Sequence, residues 1–186
     1  MSMTAPRKTP LNGRTIALVG LMGAGKTTVG RRLASALGMP FRDADAEIEA
    51  AAGRSVSDIF TEFGEKAFRD GERRVIARLL DEPPHVLATG GGAFIDDDTR
   101  ALINARAISV WLKADVEVLA KRVARRDTRP LLSGKDPLEV LRAHALARYD
   151  LYGEAQIVVE TGDAAHQTAV DAIIEALGQR MVASPP

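Results

Sequence analysis

The sequence predicts a three-layer α/β sandwich, a five-stranded parallel sheet with helices on both faces, and three observations carry that prediction. First, Gly20-Leu21-Met22-Gly23-Ala24-Gly25-Lys26-Thr27-Thr28 completes the phosphate-binding pattern G-x-x-x-x-G-K-[ST] with nothing missing. Second, four short apolar runs, at 15–19, 86–88, 108–112 and 157–159, and a short strand-like segment at 40–43 alternate with amphipathic stretches, the order of a parallel sheet with crossover helices. Third, 186 residues are enough for one full core and too few for two comfortable ones.

Composition narrows the partners. Lysine plus arginine and aspartate plus glutamate number 25 each, so no global field favours nucleic acid or an anionic membrane. The absence of cysteine excludes disulfides, thiolate metal sites and a cysteine nucleophile, and fits a reducing, cytoplasmic setting. No stretch approaches membrane-spanning length. Residues 1–13 lack the apolar centre of a signal peptide and read as a disordered tail, as do 181–186, leaving 14–180 as one domain.

Thr15 to Val19 is apolar and partly β-branched, a buried strand. The glycines at 20, 23 and 25 let the following loop turn its N–H groups inward, so that loop and helix N-terminus form a concave anion site. Lys26 adds a mobile charge for the β- and γ-phosphates, and the Thr27 hydroxyl is placed to ligate Mg²⁺. Val29, Leu33, Ala36 and Leu37 recur at helical spacing up to Gly38, a left-handed C-cap.

The second strand ends in Asp43-Ala44-Asp45, two carboxylates at the strand edge where open α/β sheets bind ligands; one of the two can also N-cap the helix containing Ile48. Ser55-Val56-Ser57-Asp58 has the form of a capping box ahead of Ile59, Phe60 and Phe63. Further along, Glu65 lies four residues before Arg69 and Glu72 three after it, so both carboxylates can steady the guanidinium; a solvated salt-bridge network is the plain reading of that spacing.

A third strand at 86–88 runs into Gly90-Gly91-Gly92, and three glycines at a strand end suit the close approach of a ligand, or else a flexible loop. Asp96, Asp97 and Asp98 stand at a helix start, where acids complement the helix dipole. The fourth strand carries Trp111 as a packing residue, and Asp115 is placed to N-cap a helix that ends in Lys121, Arg122, Arg125 and Arg126.

Residues 125–137 break the pattern: polar, basic and rich in turn formers, they read as a mobile lid with three arginines. A helix from about Pro137 to Tyr149 bears Arg148, and a closing helix with Val170, Ile173, Ile174 and Leu177 stops near Gly178. His85, His144 and His166 are scattered, without metal-ligand spacing, and receive no role.

The assembled set resembles the shikimate kinases, within the nucleoside-monophosphate-kinase-like group of P-loop proteins. The resemblance covers nearly the whole chain after the tail: the phosphate loop at 20–28, Asp43-Ala44-Asp45, Gly64-Glu65 with Phe68-Arg69 and Glu72, the triple glycine, Arg129-Pro130-Leu131-Leu132, and Arg148 ahead of Leu151-Tyr152. It implies transfer of the γ-phosphoryl group of ATP to the 3-hydroxyl of shikimate. It further implies that Arg69 and Arg148 bind the shikimate carboxylate, with Glu65 and Glu72 orienting Arg69. Asp45 would meet the reacting hydroxyl, and Gly90, Gly91 and Gly92 would bring backbone N–H groups to the substrate. Gly23, Ala24, Gly25, Lys26, Thr27 and Thr28 would hold ATP. Thr27 and Asp43 would hold Mg²⁺, Arg122 would lie along the adenine, and Arg129 on the lid would reach the phosphates. The loop at 161–165 is acidic and small where some members place a basic or amide residue, leaving the base contact unassigned. A monomer is expected on the family pattern.

Gluconate kinases share a similar loop and an acidic sugar substrate, but would not combine Asp43-Ala44-Asp45, the triple glycine and Arg129-Pro130-Leu131-Leu132. A nucleotide-dependent binding module without phosphotransfer is the rival from another class. An Asn-Lys-x-Asp guanine signature is absent.

Overall fold

A computed structural model describes residues 13–125 and 134–183. Its sheet has five strands: β1 (Thr15–Val19), β2 (Phe41–Asp43), β3 (Val86–Ala88), β4 (Ala107–Ala114) and β5 (Ile157–Thr161). They lie in the order β2-β3-β1-β4-β5, and every neighbouring pair is parallel. β1, β3 and nearly all of β4 are buried along their length. A strand buried on both faces needs helices on both, which is why these runs are continuously apolar and not alternating. β5, at the edge, does alternate, with Ile157 and Val159 inward and Val158 and Glu160 exposed.

The helices are α1 (Lys26–Leu37), α2 (Ala44–Ala52), α3 (Val56–Leu80), α4 (Asp97–Arg106), α5 (Val116–Ala124), α6 (Pro137–Tyr152) and α7 (His166–Ala183), with a 3₁₀ turn at Ala93–Ile95. α1 packs on α7 and β3, α3 on α2 and α4, and α5 on α6. Among the described residues no helix is long and apolar enough to cross a membrane.

Several boundaries differ from the sequence reading. α7 runs through Gly178 to Ala183, so that glycine is an interior residue and not a cap. α6 continues past Tyr149 to Tyr152. Ala34, not Ala36, completes the buried face of α1. Asp115 stands at the N-cap of α5, yet its side chain makes no capping bond. The other caps agree: Gly38 is left-handed at the end of α1, the Ser55 side chain accepts from Asp58 N, and that of Asp96 accepts from Thr99 N. Trp111 is 6% exposed and packs within 5.1 Å of Tyr149 and 5.7 Å of Tyr152, centroid to centroid, as a core residue should.

α3 holds one break. Gly64 has φ 82° and ψ 173°, a conformation open to glycine alone, so the helix is two segments joined at a kink. The first carries Val56 and Phe60, the second Arg69 and Glu72.

Candidate active site

The three strand ends that the sequence marked converge at the C-terminal edge of the sheet. β1 leads into the phosphate loop, β2 ends at Asp43, and β3 runs through Thr89 into the triple glycine. Thr89 ties the first and third together, its N–H and its hydroxyl both donating to the Leu18 carbonyl at 3.1 and 2.9 Å.

Gly20, Gly23 and Gly25 all have positive φ, at 145°, 81° and 89°, which is the inward-turning loop that the pattern required. Lys26 donates from Nζ to the carbonyls of Gly20 (2.7 Å) and Leu21 (2.9 Å), lying back along its own loop. The Thr27 hydroxyl donates to Asp43 Oδ2 at 2.8 Å. The other oxygen of Asp43 accepts from the N–H groups of Asp45 (3.1 Å) and Ala46 (3.3 Å), capping α2. Of the two candidate caps, then, Asp43 is the one used, and it binds the phosphate loop as well.

Two cavities meet here. One, of about 560 Å³, is lined by Gly23, Gly25, Lys26, Thr27, Thr28 and Asp43 along its phosphate end and by Val118, Arg122 and the 163–166 segment at the other. Arg122 bridges these walls, donating to the Gly23 carbonyl at 3.3 Å and the Gly162 carbonyl at 2.5 Å. The second cavity, about 610 Å³, is lined by Met22, Val56, Phe60, Phe68, Arg69, Glu72, Gly92 and Arg148. Asp45, Gly90 and Gly91 line both.

In the second cavity Arg69 donates from Nη1 to Glu72 Oε2 at 2.6 Å, and its Nε lies 3.7 Å from Glu65 Oε1. Phe68 and Phe60 lie against its guanidinium, with ring centroids 5.1 and 6.0 Å from Cζ. Glu72 is 2% exposed, and its Oε1 has no hydrogen-bond partner among the described residues. Burial pushes its pKa above the ordinary glutamate value; Arg69 opposes that shift and the nearby Asp45 adds to it. Arg148 donates to the Gly91 carbonyl at 3.4 Å. Burial, and then the Arg148 charge, lowers the pKa of His144 from the ordinary imidazole value.

Glycine at 90 and 92 leaves the room that neighbouring side chains occupy. A Cβ on Gly90 would come within 2.8 Å of Glu72 Oε1 and 3.0 Å of Asp45 Oδ1, and one on Gly92 within 2.6 Å of Arg69 Cζ. The three charged side chains therefore pack directly on this backbone. A cavity with an apolar wall of Met22, Val56, Phe60 and Phe68 and two arginines suits a small carboxylate with a hydrocarbon body, and a phosphate loop opening beside it suits a phosphoryl donor.

The comparisons with known proteins agree with that geometry. The family model for shikimate kinase matches residues 22–178. The chain belongs to the shikimate kinase family. It is 71% identical over 170 residues to shikimate kinase of Caulobacter vibrioides, covering 91% of this chain and 85% of that one. It is 56% identical to shikimate kinase of Paramagnetospirillum magneticum, over 95% and 91% of the two chains. Shikimate kinase of Acinetobacter baumannii, solved in complex with shikimate, superposes with a TM-score of 0.86 at 40% identity, over 90% of this chain and 94% of that one. The activity is thus that of an ATP-dependent kinase phosphorylating shikimate, and the α/β fold with its parallel sheet is shared with shikimate kinases.

The expected site residues come together in these cavities except Ala24, which is 1% exposed and lines neither, its side chain turned into the core; Arg129 and the centre of the expected lid, 126–133, lie outside the described residues. Sequence reasoning missed Thr89, Val118 and His166 in the first cavity and Ser57 and Thr61 in the second. Metal-ligand spacing gives His166 no role. Its place as the first residue of the helix after a parallel strand, at the sheet's ligand-binding edge, was the signal that could have found it.

Proposed function

We propose that the first cavity receives MgATP, the second receives shikimate, and that Asp45 works where the two meet, the product being shikimate 3-phosphate on the route to chorismate and the aromatic amino acids. The observation that carries this reading is that one carboxylate, on the first turn of α2, lines both cavities. A group there lies within reach of both an acceptor hydroxyl and a γ-phosphoryl group.

In this assignment Arg69 and Arg148 bind the shikimate carboxylate, and Glu72 fixes the first of them through the 2.6 Å bond. Gly90, Gly91 and Gly92 admit the ring close to the backbone. Asp45 orients the 3-hydroxyl and accepts its proton. Gly23, Ala24, Gly25 and Thr28 supply the phosphate cradle. Lys26 exchanges the Gly20 and Leu21 carbonyls for β- and γ-phosphate oxygens, which carry more negative charge. Arg122 lies along the adenine between Gly23 and Gly162. Arg129 is assigned to the phosphates from the lid, whose closure excludes water as a competing acceptor.

Thr27 and Asp43 fit Mg²⁺. The ion takes only one or two protein oxygens and completes its shell with water and phosphate, and these two oxygens are hydrogen-bonded at the phosphate end of the first cavity. When bound, it neutralises charge on the transferring phosphoryl group. We place the enzyme in the cytoplasm as a monomer, with no nucleic-acid or membrane partner. Residues 14–180 would form the kinase domain and 125–137 the lid.

Asp45→Asn tests the central assignment, because it keeps the shape and removes the proton acceptor. Its kcat should fall by roughly a hundredfold or more, with the shikimate KM nearly unchanged. A kcat within a few-fold of the wild type would show that Asp45 only positions.

A further inference from the structure

Tyr152, the last residue of α6, takes no part in the assignments above, yet among the described residues it is the largest fully buried side chain, 1% exposed. Its ring is stacked between Phe94, 6.3 Å away at 6°, and Trp111, 5.7 Å away at 22°. Its hydroxyl points at the substrate cavity wall and donates to the carbonyl of Gly91. Arg148, one helical turn earlier, donates to the same carbonyl at 3.4 Å. One carbonyl of the triple glycine is therefore held by two side chains of α6.

We infer that Tyr152 is a positioning residue for shikimate: it fixes the Gly91–Gly92 peptide and the Arg148 guanidinium in the orientation the substrate needs. A glycine-rich segment has no side chains to hold its peptide planes, and each plane rotates at little cost unless something outside restrains it. No peptide bond in the described chain is cis, so anchoring the Gly91 carbonyl also fixes the direction of the Gly92 N–H, which lies antiparallel to it. The same carbonyl holds Arg148, a long side chain that would otherwise give up rotamer freedom on binding. The aromatic stack sets the position of the hydroxyl. Burial also pushes the phenol up to about 12, so it remains a donor at every pH at which the enzyme works.

The inference rests on the assignment of Arg148 to the shikimate carboxylate, and the test separates the two. Tyr149 is the control: it lies on the same helix, packs on the same Trp111, and donates its hydroxyl to the Ala114 carbonyl at 3.0 Å, away from the substrate cavity. Initial rates are measured for the wild type, Tyr152→Phe, Tyr149→Phe, Arg148→Ala and the Tyr152→Phe/Arg148→Ala double variant, with melting temperatures alongside.

Tyr152→Phe should raise the shikimate KM about three- to tenfold, the size of one neutral hydrogen bond, with kcat and the ATP KM within twofold of the wild type. Tyr149→Phe should lose a similar amount of thermal stability with no change in the shikimate KM. In the double variant the two KM effects should combine to less than their product, because part of the action of Tyr152 passes through Arg148. If Tyr152→Phe and Tyr149→Phe behave alike, with melting temperature lowered and KM unmoved, Tyr152 is a packing residue and the inference fails. If Arg148→Ala itself leaves the shikimate KM unchanged, the carboxylate assignment fails first, and the inference goes with it.

Discussion

Arg69 donates to Glu72 across 2.6 Å, and that glutamate, 2% exposed, sits with its second oxygen against the backbone of Gly90. The pair joins an anion-binding cation to the glycine segment in a single packed unit. Arg69→Ala should raise the shikimate KM by the equivalent of roughly 2 to 5 kcal/mol, because a largely desolvated substrate carboxylate would lose its charged partner. The ATP KM should barely move. An unchanged shikimate KM would remove Arg69 from the site.

The same burial has a pH signature. The folded-state pKa of Glu72 is raised, so the folded protein holds that proton more tightly than the unfolded chain does. The contribution of a group raised in this way is fully present below its unfolded pKa and is lost as pH rises through the folded value. Glu72→Gln keeps the neutral form at every pH. Its melting temperature relative to the wild type should therefore climb from the ordinary glutamate range toward neutrality, while shikimate affinity suffers. A difference between the two melting curves that stays constant from pH 4 to pH 7 would contradict this.

Gly92 offers a steric test free of backbone strain. Its φ of −108° and ψ of −5° suit any residue, so alanine there is penalised only by what its methyl group meets. That group would lie within 2.6 Å of the Arg69 Cζ, and the guanidinium must move. Gly92→Ala should lose shikimate affinity at least tenfold while binding MgATP normally. Retention of both affinities would mean that Arg69 occupies a different place when substrate is bound.

How far the site was legible in the sequence depends on what each residue does. The phosphate loop, Asp43 and Asp45 were readable because anion cradles and metal pairs need fixed residue types at fixed spacing, next to a strand and a helix. Arg69 was ambiguous on spacing alone. A helical Glu-Arg-Glu cluster is ordinary on a solvated surface, and only the resemblance, and then the 2% exposure of Glu72, separates the two cases. Gly64 gave no warning that it breaks α3, since an isolated glycine in a helical pattern is usually tolerated. The continuation of α7 through Gly178 is the opposite error: the turn preference of one residue lost to the packing of the helix around it, where Ile173 and Leu177 are buried. Tyr152 stands in the sequence only as part of the family pattern, with no role attached, because its hydroxyl meets a carbonyl 61 positions away.

The most direct test of the central claim is coupled ADP release with MgATP, measured with shikimate, with gluconate and with no acceptor. Saturable turnover with shikimate alone is the predicted result. Turnover with gluconate, or none with either acceptor in protein that still binds MgATP, would contradict it.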